Sequence, residues 1–189
     1  MIFGITGGTG CGKTTALEAL HSLGGVCLDC DAIYHDLLKT DKALLAAIEG
    51  RFPGVVKAGQ LDRKALGSRV FADPAALADL NAITHAAVKQ RVLELLPKDG
   101  TPAAIDAIGL FESGLDQLCG VTVGILAPKA DRLRRIMARD GIPEGYAQMR
   151  LDAQPEDSYF REKCGFILEN TGTEADFRRK SLDFFQKFL

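Results

Sequence analysis

Residues 7–14 combine glycines, a lysine and a threonine at a spacing that binds nucleotide phosphates. The segment reads GGTGCGKT and satisfies the pattern G-x-x-x-x-G-K-[S/T]. Glycines allow successive backbone N–H groups to turn inward onto phosphate oxygens, and a helix beginning there adds partial positive charge. Lys13 is expected to reach the β- and γ-phosphates, and the Thr14 hydroxyl to bind Mg²⁺. The segment, called the phosphate loop here, predicts binding of ATP and Mg²⁺.

These glycines have two alternative interpretations. One is a glycine-rich turn that matches the pattern by chance. The other is a dinucleotide-binding loop, since Asp29 lies about 20 residues downstream, but Lys13 occupies the position that its last glycine would need. The residues predicted to contact the nucleotide through the loop are Gly8, Thr9, Gly10, Cys11, Gly12, Lys13, Thr14 and Thr15.

Three aspartates follow short apolar runs and are candidates for a role in phosphoryl transfer. Asp29 and Asp31 follow residues 26–28, and Asp106 follows residues 103–105. Ligands gather at the carboxyl ends of parallel strands, so we expect Asp31 to accept the proton of an attacking hydroxyl. Asp106 is expected to hold Mg²⁺ directly or through water. The alternatives are that Asp31 only caps a helix and that Asp106 is a loop aspartate.

Arginines are concentrated in the last third of the chain. Arg132, Arg135 and Arg139 are spaced to share one helix face, and Arg150 follows on the next helical stretch. The intervening DGIP, residues 140–143, predicts a hinge, and a hinged helix pair carrying arginines is typical of a lid that closes on phosphates. A solvated basic face is the alternative.

The elements that must position these residues alternate along the chain. Strands are predicted at residues 1–6, 26–28, 103–106, 121–126 and 166–169, and helices after the phosphate loop, at 31–38, 129–139 and 175–188. Residues 44–96 are predicted to be mostly helical, with helices opening at Asp62-Arg63 and Asp73-Pro74. Strands alternating with helices predict an α/β fold with a mainly parallel sheet covered on both faces.

Composition restricts the class of partner. The 189 residues are 47% hydrophobic and 25% charged, with a net charge of −2, as expected for one globular domain. A slightly acidic chain gains no general attraction to nucleic acid or anionic lipid, so neither is an expected partner. No export signal or membrane segment is evident, and the five cysteines, including Cys27-x-x-Cys30, indicate reduced thiols. A cytoplasmic protein is predicted, of unspecified oligomeric state.

The motifs together resemble those of the dephospho-coenzyme A kinase family, and the resemblance covers almost the whole chain. The similar segments are residues 4–15, 28–33, 61–63, 70–71, 83–85, 110–115 and 139–141, with Arg150, Gln154 and Asn170. The chain departs from the family pattern at Asn81, Ala86, Ile108 and Gly109.

The resemblance implies transfer of the ATP γ-phosphate to the 3′-hydroxyl of dephospho-coenzyme A, the last step of coenzyme A synthesis. It implies that Asp31 is the catalytic base, that Lys13 and Arg139 also act in catalysis, and that Asn170 lines the adenine pocket. It places Arg63, His85 and Arg150 with Asp31 among the substrate-binding residues.

One P-loop NTPase-type kinase domain over residues 1–189 is therefore expected. Its core is assigned to 1–40, 101–138 and 163–189, its helical acceptor-binding region to 41–100 and its lid to 139–162. A P-loop kinase acting on another nucleoside or nucleotide is the alternative. A GTP-hydrolysing switch is a further one, because residues 106–109 fit D-x-x-G, but no N-K-x-D segment is present to read guanine.

Overall fold

A computed structural model describes residues 1–189, and the packing of the chain divides them into two compact units. The core unit comprises Met1–Leu28 and Pro97–Leu189, and the helical unit comprises Asp29–Leu96. The elements, in chain order, are β1 (Ile2–Thr6), α1 (Lys13–Ser22), β2 (Val26–Asp29), α2 (Cys30–Thr40), α3 (Lys42–Arg51), β3 (Val56–Lys57), β4 (Gln60–Leu61), α4 (Arg63–Val70), α5 (Pro74–Leu95), β5 (Ala103–Asp106), a 3₁₀ turn (Asp116–Leu118), β6 (Val121–Leu126), α6 (Lys129–Asp140), α7 (Glu144–Asp152), α8 (Asp157–Lys163), β7 (Phe166–Glu169) and α9 (Glu174–Phe185).

A five-stranded sheet with the order β2-β5-β1-β6-β7 forms the centre of the fold. β1 pairs in parallel with β5 and β6, and β6 pairs in parallel with β7. Parallel strands share one carboxyl edge, so the end of β1 at Thr6 and the end of β5 at Asp106 emerge side by side, with Ile5 opposite Asp106. The predicted strands and the α/β class are confirmed.

Apolar side chains of β1 anchor the sheet to the helices of the core unit. Phe3 and Ile5 are fully buried in a cluster that includes Phe177 and Phe185 of α9. The Phe3 and Phe185 rings meet edge to face, with centroids 5.0 Å apart, a geometry that aromatic pairs favour. α1 packs against α9. The start of α1, and with it the phosphate loop, is therefore held by a close-packed core.

The helical unit is built around α5, which packs against α2, α3 and α4. The predicted helix starts are confirmed, since Asp62 accepts a hydrogen bond from the Ala65 N–H and Asp73 accepts one from the Ala75 N–H. Such caps stabilise a helix by about 1 kcal/mol each. The prediction that residues 44–96 are mostly helical did not include the antiparallel hairpin that β3 and β4 form at residues 56–61. No helix of the chain has both the length and the apolarity needed to cross a bilayer.

Candidate active site

The phosphate loop joins the central strand to a helix, as predicted. β1 ends at Thr6 and α1 begins at Lys13. Gly10 and Gly12 have φ values of 79° and 104°, a left-handed conformation that side-chain-bearing residues rarely adopt. The N–H groups of Gly10 and Gly12 have no acceptor within the protein. The loop therefore presents unpaired backbone donors where a helix begins, which is the arrangement that binds phosphate.

Lys13 and Thr14, the two side chains at the end of the motif, lie in the first turn of α1. Lys13 Nζ donates a hydrogen bond to the Gly7 carbonyl at 2.9 Å, so its ammonium group lies against the first residue of the loop. Thr14 is exposed. The ammonium group and the hydroxyl are thus both on the loop that would hold the phosphates.

A buried network joins the loop to α6 and to the residue after α7. Arg132, only 7% exposed, donates through Nε to the Thr9 carbonyl at 3.0 Å and through Nη2 to Gln154 Oε1 at 2.7 Å. Gln154 also accepts from the Thr9 N–H at 2.8 Å and donates to the Thr9 hydroxyl at 2.6 Å. The interpretation of Arg132 as part of a solvated face is therefore wrong. Sequence reasoning gave Gln154 no role, although it matched the family pattern.

Two further side chains bind loop carbonyls. Arg135 Nη1 donates to the Gly10 carbonyl at 3.0 Å, and Asn170 Nδ2 donates to the Cys11 carbonyl at 2.9 Å. Asn170 is 4% exposed, and its Oδ1 atom is buried without a hydrogen-bond partner, which costs about 1–3 kcal/mol. The structure therefore places Asn170 against the loop backbone, and its contact with adenine stays a prediction.

These contacts explain the glycines at positions 8 and 10, which the motif leaves free, and at position 12, which the motif requires. A Cβ atom at Gly8 would lie 2.1 Å from Arg132 Nη2, and one at Gly10 would lie 2.9 Å from the Arg132 carbonyl oxygen. At Gly12 it would lie 2.4 Å from Asn170 Nδ2. Real Cβ atoms do not approach other atoms so closely, so a side chain at these positions would displace Arg132 or Asn170 from the loop.

Asp106 and Thr14 are the candidate Mg²⁺ residues. Asp106 ends β5, beside the strand that leads into the loop. Burial raises the pKa of the Cys11 and Cys27 thiols, and the nearby Asp106 carboxylate raises both further. Mg²⁺ is usually held by one or two protein oxygens together with phosphate and water. A carboxylate and a hydroxyl next to the loop fit that requirement, and no group of three or more His, Cys, Asp or Glu side chains is placed to hold a metal.

The remaining predicted lid arginines share one carboxylate. α6 ends at Asp140, and Gly141 follows in the left-handed conformation with φ 64°. Arg139 binds both oxygens of Asp140, at 2.7 and 3.0 Å, and Arg150 Nη1 binds Oδ2 at 2.6 Å. Hydrogen bonds from Arg139 and then Arg150 lower the pKa of Asp140 to about 2. The structure brings Arg139 and Arg150 together across the predicted hinge.

The helical unit carries the other predicted site residues. Asp29 caps α2 by accepting the Ala32 N–H at 3.0 Å, so the alternative that Asp31 is the cap is wrong. Asp31 lies exposed in the first turn of α2, and His85 is half-buried on α5. Arg63 begins α4 and lines a cavity of about 190 Å³, whose walls also include Tyr34, His35, Leu66, Val70 and Phe71.

A parallel sheet with a phosphate loop after its central strand defines a P-loop kinase fold. A shikimate kinase from Acinetobacter baumannii shares that fold with a TM-score of 0.52 at 18% identity, over 98% of this chain and 93% of that one. The family model for dephospho-CoA kinase matches residues 1–176, and the chain belongs to the dephospho-CoA kinase family.

Individual relatives agree with this assignment. The chain is 35% identical to a dephospho-CoA kinase from Thermobifida fusca, over 92% of this chain and 88% of the relative. A solved dephospho-CoA kinase from Campylobacter jejuni matches with a TM-score of 0.71 at 32% identity, over 99% and 96% of the two chains. TT1252 from Thermus thermophilus matches with a TM-score of 0.81 at 33% identity, over 100% and 98%.

The family assignment confirms the predicted class of enzyme. Dephospho-CoA kinases use ATP with Mg²⁺ to phosphorylate dephospho-CoA, the last step of coenzyme A biosynthesis. The predicted kinase activity and nucleotide-binding loop are confirmed at this level. The alternatives, a kinase for another nucleoside or nucleotide and a GTP-hydrolysing switch, are not supported.

Proposed function

We propose that this chain transfers the γ-phosphoryl group of ATP to the ribose 3′-hydroxyl of dephospho-CoA, with Asp31 as the general base. The observation that carries the proposal is the phosphate loop itself. Its Gly10 and Gly12 amides lack an acceptor, and Lys13 lies against it. Donors that are already in place need no reorganisation when charge develops on the transferred group, which is the main source of electrostatic catalysis.

Lys13 is assigned to the phosphates. Its ammonium group donates to a neutral carbonyl, that of Gly7. Hydrogen bonds to charged oxygens are stronger than hydrogen bonds to neutral ones. A triphosphate therefore offers Lys13 a better acceptor within the same loop. The loop amides that have no acceptor in the protein, among them those of Gly10 and Gly12, are assigned to the same group.

Asp31 is assigned to the acceptor hydroxyl. Two carboxylates lie at the start of α2, and Asp29, the residue before the helix, makes the capping bond. The carboxylate of Asp31 is exposed and has no capping bond to make. It can accept the hydroxyl proton as the new O–P bond forms, a contribution that is typically 10²- to 10⁴-fold in rate.

Thr14 and Asp106 are assigned to Mg²⁺. When bound, the ion bridges phosphate oxygens and neutralises their charge during transfer. The contribution of the protein is a hydroxyl in the first turn of α1 and a carboxylate at the end of the neighbouring strand β5.

Residues 41–100 are assigned to binding of the acceptor, and residues 139–162 are assigned to a lid. The core is formed by residues 1–40, 101–138 and 163–189. Arg63 lines a cavity together with Tyr34, Leu66 and Phe71. A cation on an apolar wall suits an acceptor that has an anionic pyrophosphate and a long uncharged arm. His85 is also assigned to the acceptor. Arg139 and Arg150 are assigned to the phosphates, for which they would give up their hydrogen bonds to Asp140.

The proposal also includes the type of partner and the location of the reaction. A chain with net charge −2 gains no general attraction to nucleic acid or to an anionic membrane. We therefore assign a dissolved small molecule in the cytoplasm as its substrate.

The test is ADP release by the purified protein with Mg-ATP, comparing dephospho-CoA with adenosine, nucleoside monophosphates and water. Dephospho-CoA should give the fastest turnover, in the range of roughly 1–100 per second that is usual for kinases. Phosphorus NMR of the product should place the new phosphate on the 3′ oxygen. Equal rates with dephospho-CoA and with water would refute the proposal, as would a product phosphorylated elsewhere.

A further inference from the structure

Four carbonyl groups of the phosphate loop accept a hydrogen bond from a side chain. Three of the four donors lie 123 to 159 residues further along the chain. The pairs are Lys13 with Gly7, Arg132 with Thr9, Arg135 with Gly10 and Asn170 with Cys11. The loop is therefore held along its carbonyl groups by side chains of the core unit.

Holding a carbonyl also fixes the amide that follows it. In a trans peptide unit the C=O of one residue and the N–H of the next point in opposite directions, and the chain has no cis peptide bond. The bond from Arg132 to the Thr9 carbonyl thus directs the Gly10 N–H away from the guanidinium. The bond from Asn170 to the Cys11 carbonyl directs the Gly12 N–H away from the side-chain amide. Neither of these two amides has an acceptor within the protein.

We propose that Arg132 and Asn170 are positioning residues for the triphosphate, which they serve by binding the Thr9 and Cys11 carbonyls and thereby aiming the Gly10 and Gly12 amides at the phosphates. Neither side chain needs to contact the ligand. The inference rests on the proposed function only in taking a triphosphate as the ligand of the loop.

The way both side chains are buried supports this role. Arg132 is 7% and Asn170 is 4% exposed, and Asn170 Oδ1 is left without a partner. An apolar side chain of the same shape would fill the Asn170 site without an unpaired acceptor, so filling space does not explain this residue. Arg132 lies close to Gly8 and Asn170 lies close to Gly12, which indicates that both side chains are packed tightly against the loop.

Arg132 acts through two guanidinium donors as well as through its charge. Nε binds the Thr9 carbonyl while Nη2 binds Gln154, which in turn binds the Thr9 amide and hydroxyl. A lysine keeps the charge but carries a single nitrogen on a flexible stem and cannot reproduce two fixed donors. Arg132→Lys therefore separates positioning from simple attraction between a cation and the phosphates.

The experiment measures binding of Mg-ATP and of inorganic tripolyphosphate by calorimetry, without acceptor, in Arg132→Lys and Asn170→Leu. Both ligands should bind about tenfold more weakly to each variant, the loss expected when a hydrogen-bonded donor is misdirected. In steady-state kinetics the KM for ATP should rise while the KM for dephospho-CoA stays unchanged. Tripolyphosphate isolates the loop because it has no base or ribose.

Two controls address structural effects. Arg134→Lys changes an arginine of the same helix whose side chain is 76% exposed and pairs only with Asp131. Ser181→Ala removes a fully buried hydroxyl that binds the Phe177 carbonyl in α9. Ser181→Ala should lower the melting temperature, and both controls should bind tripolyphosphate like the unchanged chain.

The outcomes are distinguishable. Unchanged tripolyphosphate affinity in Arg132→Lys would refute the positioning role of Arg132, and in Asn170→Leu that of Asn170. Equal losses in Ser181→Ala would show a general structural effect and refute both. If Asn170→Leu does not fold, Arg132→Lys decides alone. An unchanged chain that binds tripolyphosphate but does not phosphorylate dephospho-CoA would refute the proposed function and leave this inference standing, whereas failure of the unchanged chain to bind either ligand would refute the inference.

Discussion

Asp29 and Asp31 are two carboxylates at the start of α2 that lie in different surroundings. The Asp29 side chain accepts the Ala32 N–H and caps α2. Asp31 lies inside the first turn, exposed and without that bond. The capping position is therefore filled by the residue that precedes the helix, which leaves the second carboxylate available for chemistry.

We expect Asp31→Asn to lower kcat by about 10²- to 10⁴-fold while the Kd for Mg-ATP stays nearly unchanged. The amide cannot accept the hydroxyl proton, but it leaves the phosphate loop intact. Stopped-flow or steady-state ADP release gives kcat, and calorimetry gives Kd. Asp36→Asn, an exposed aspartate of the same helix, is the matched control and should leave both values as they are. Weaker ATP binding with normal turnover would contradict the assignment of Asp31.

The contact of Arg139 and Arg150 with Asp140 makes a prediction about pH. Hydrogen bonds from Arg139 and then Arg150 lower the pKa of Asp140 from 3.8 to about 2 in the folded chain. The unfolded chain therefore takes up the proton first as the pH falls. The contact contributes its full stabilisation above pH 3.8 and loses it as the pH falls toward 2.

A carbon-13 NMR titration of the Asp140 carboxyl group should give a midpoint at about pH 2. Arg139→Gln removes the larger of the two causes, so the midpoint should rise toward the ordinary value of 3.8. Arg134→Gln lies on the same helix and should leave it in place. A midpoint near 3.8 in the unchanged chain would show that the two arginines do not hold this carboxylate in solution.

The residue scale also marks the limit of prediction from sequence. The motif identified Lys13 and Thr14 because its spacing is local. The role of Arg132 depends on Thr9, which lies 123 residues away, and three arginines at helical spacing are equally typical of a solvated face. Only the resemblance to the family links Asn170 to the nucleotide. Its bond to the Cys11 carbonyl depends on tertiary packing that no local pattern contains.

At the scale of elements, strands were predictable where a proline or a glycine directly precedes them. β5, β6 and β7 follow Pro102, Gly120 and Gly165, and their observed bounds match the prediction. The β3–β4 hairpin was missed because each strand has only two residues. Its turn uses Ala58 and Gly59 with positive φ, and alanine gives no warning of that conformation.

The capping box of α9 predicts a measurable effect on stability. Thr173 Oγ1 accepts the Asp176 N–H at 3.1 Å, and the Asp176 carboxylate accepts the Thr173 N–H and hydroxyl. Thr173→Ala should lower the free energy of unfolding by about 1 kcal/mol, as measured by urea denaturation. Thr171→Ala, an exposed threonine of the same loop, should change it by less than about 0.5 kcal/mol. Equal effects would show that the box does not stabilise α9.

At the scale of the whole molecule, nucleotide binding should stabilise the folded chain. Mg-ATP at 100 times its Kd contributes about 2.7 kcal/mol if it binds only the folded state. For a chain of this size that raises the melting temperature by roughly 5–10 °C. Lys13→Met should lose most of this shift, because the ammonium group no longer reaches the phosphates. An equal shift in Lys13→Met and in the unchanged chain would contradict the role of Lys13, and differential scanning fluorimetry measures both.

Three of the four side chains that bind the loop carbonyls are synthesised long after the loop. Residues 7–14 leave the ribosome early, whereas Asn170, which binds the Cys11 carbonyl, is added much later. A nascent chain that has passed residue 14 but not residue 170 carries the complete motif without its full support. If these contacts aim the loop amides, such a chain should bind nucleotide poorly, and we expect tight ATP binding only after residue 170 has been synthesised.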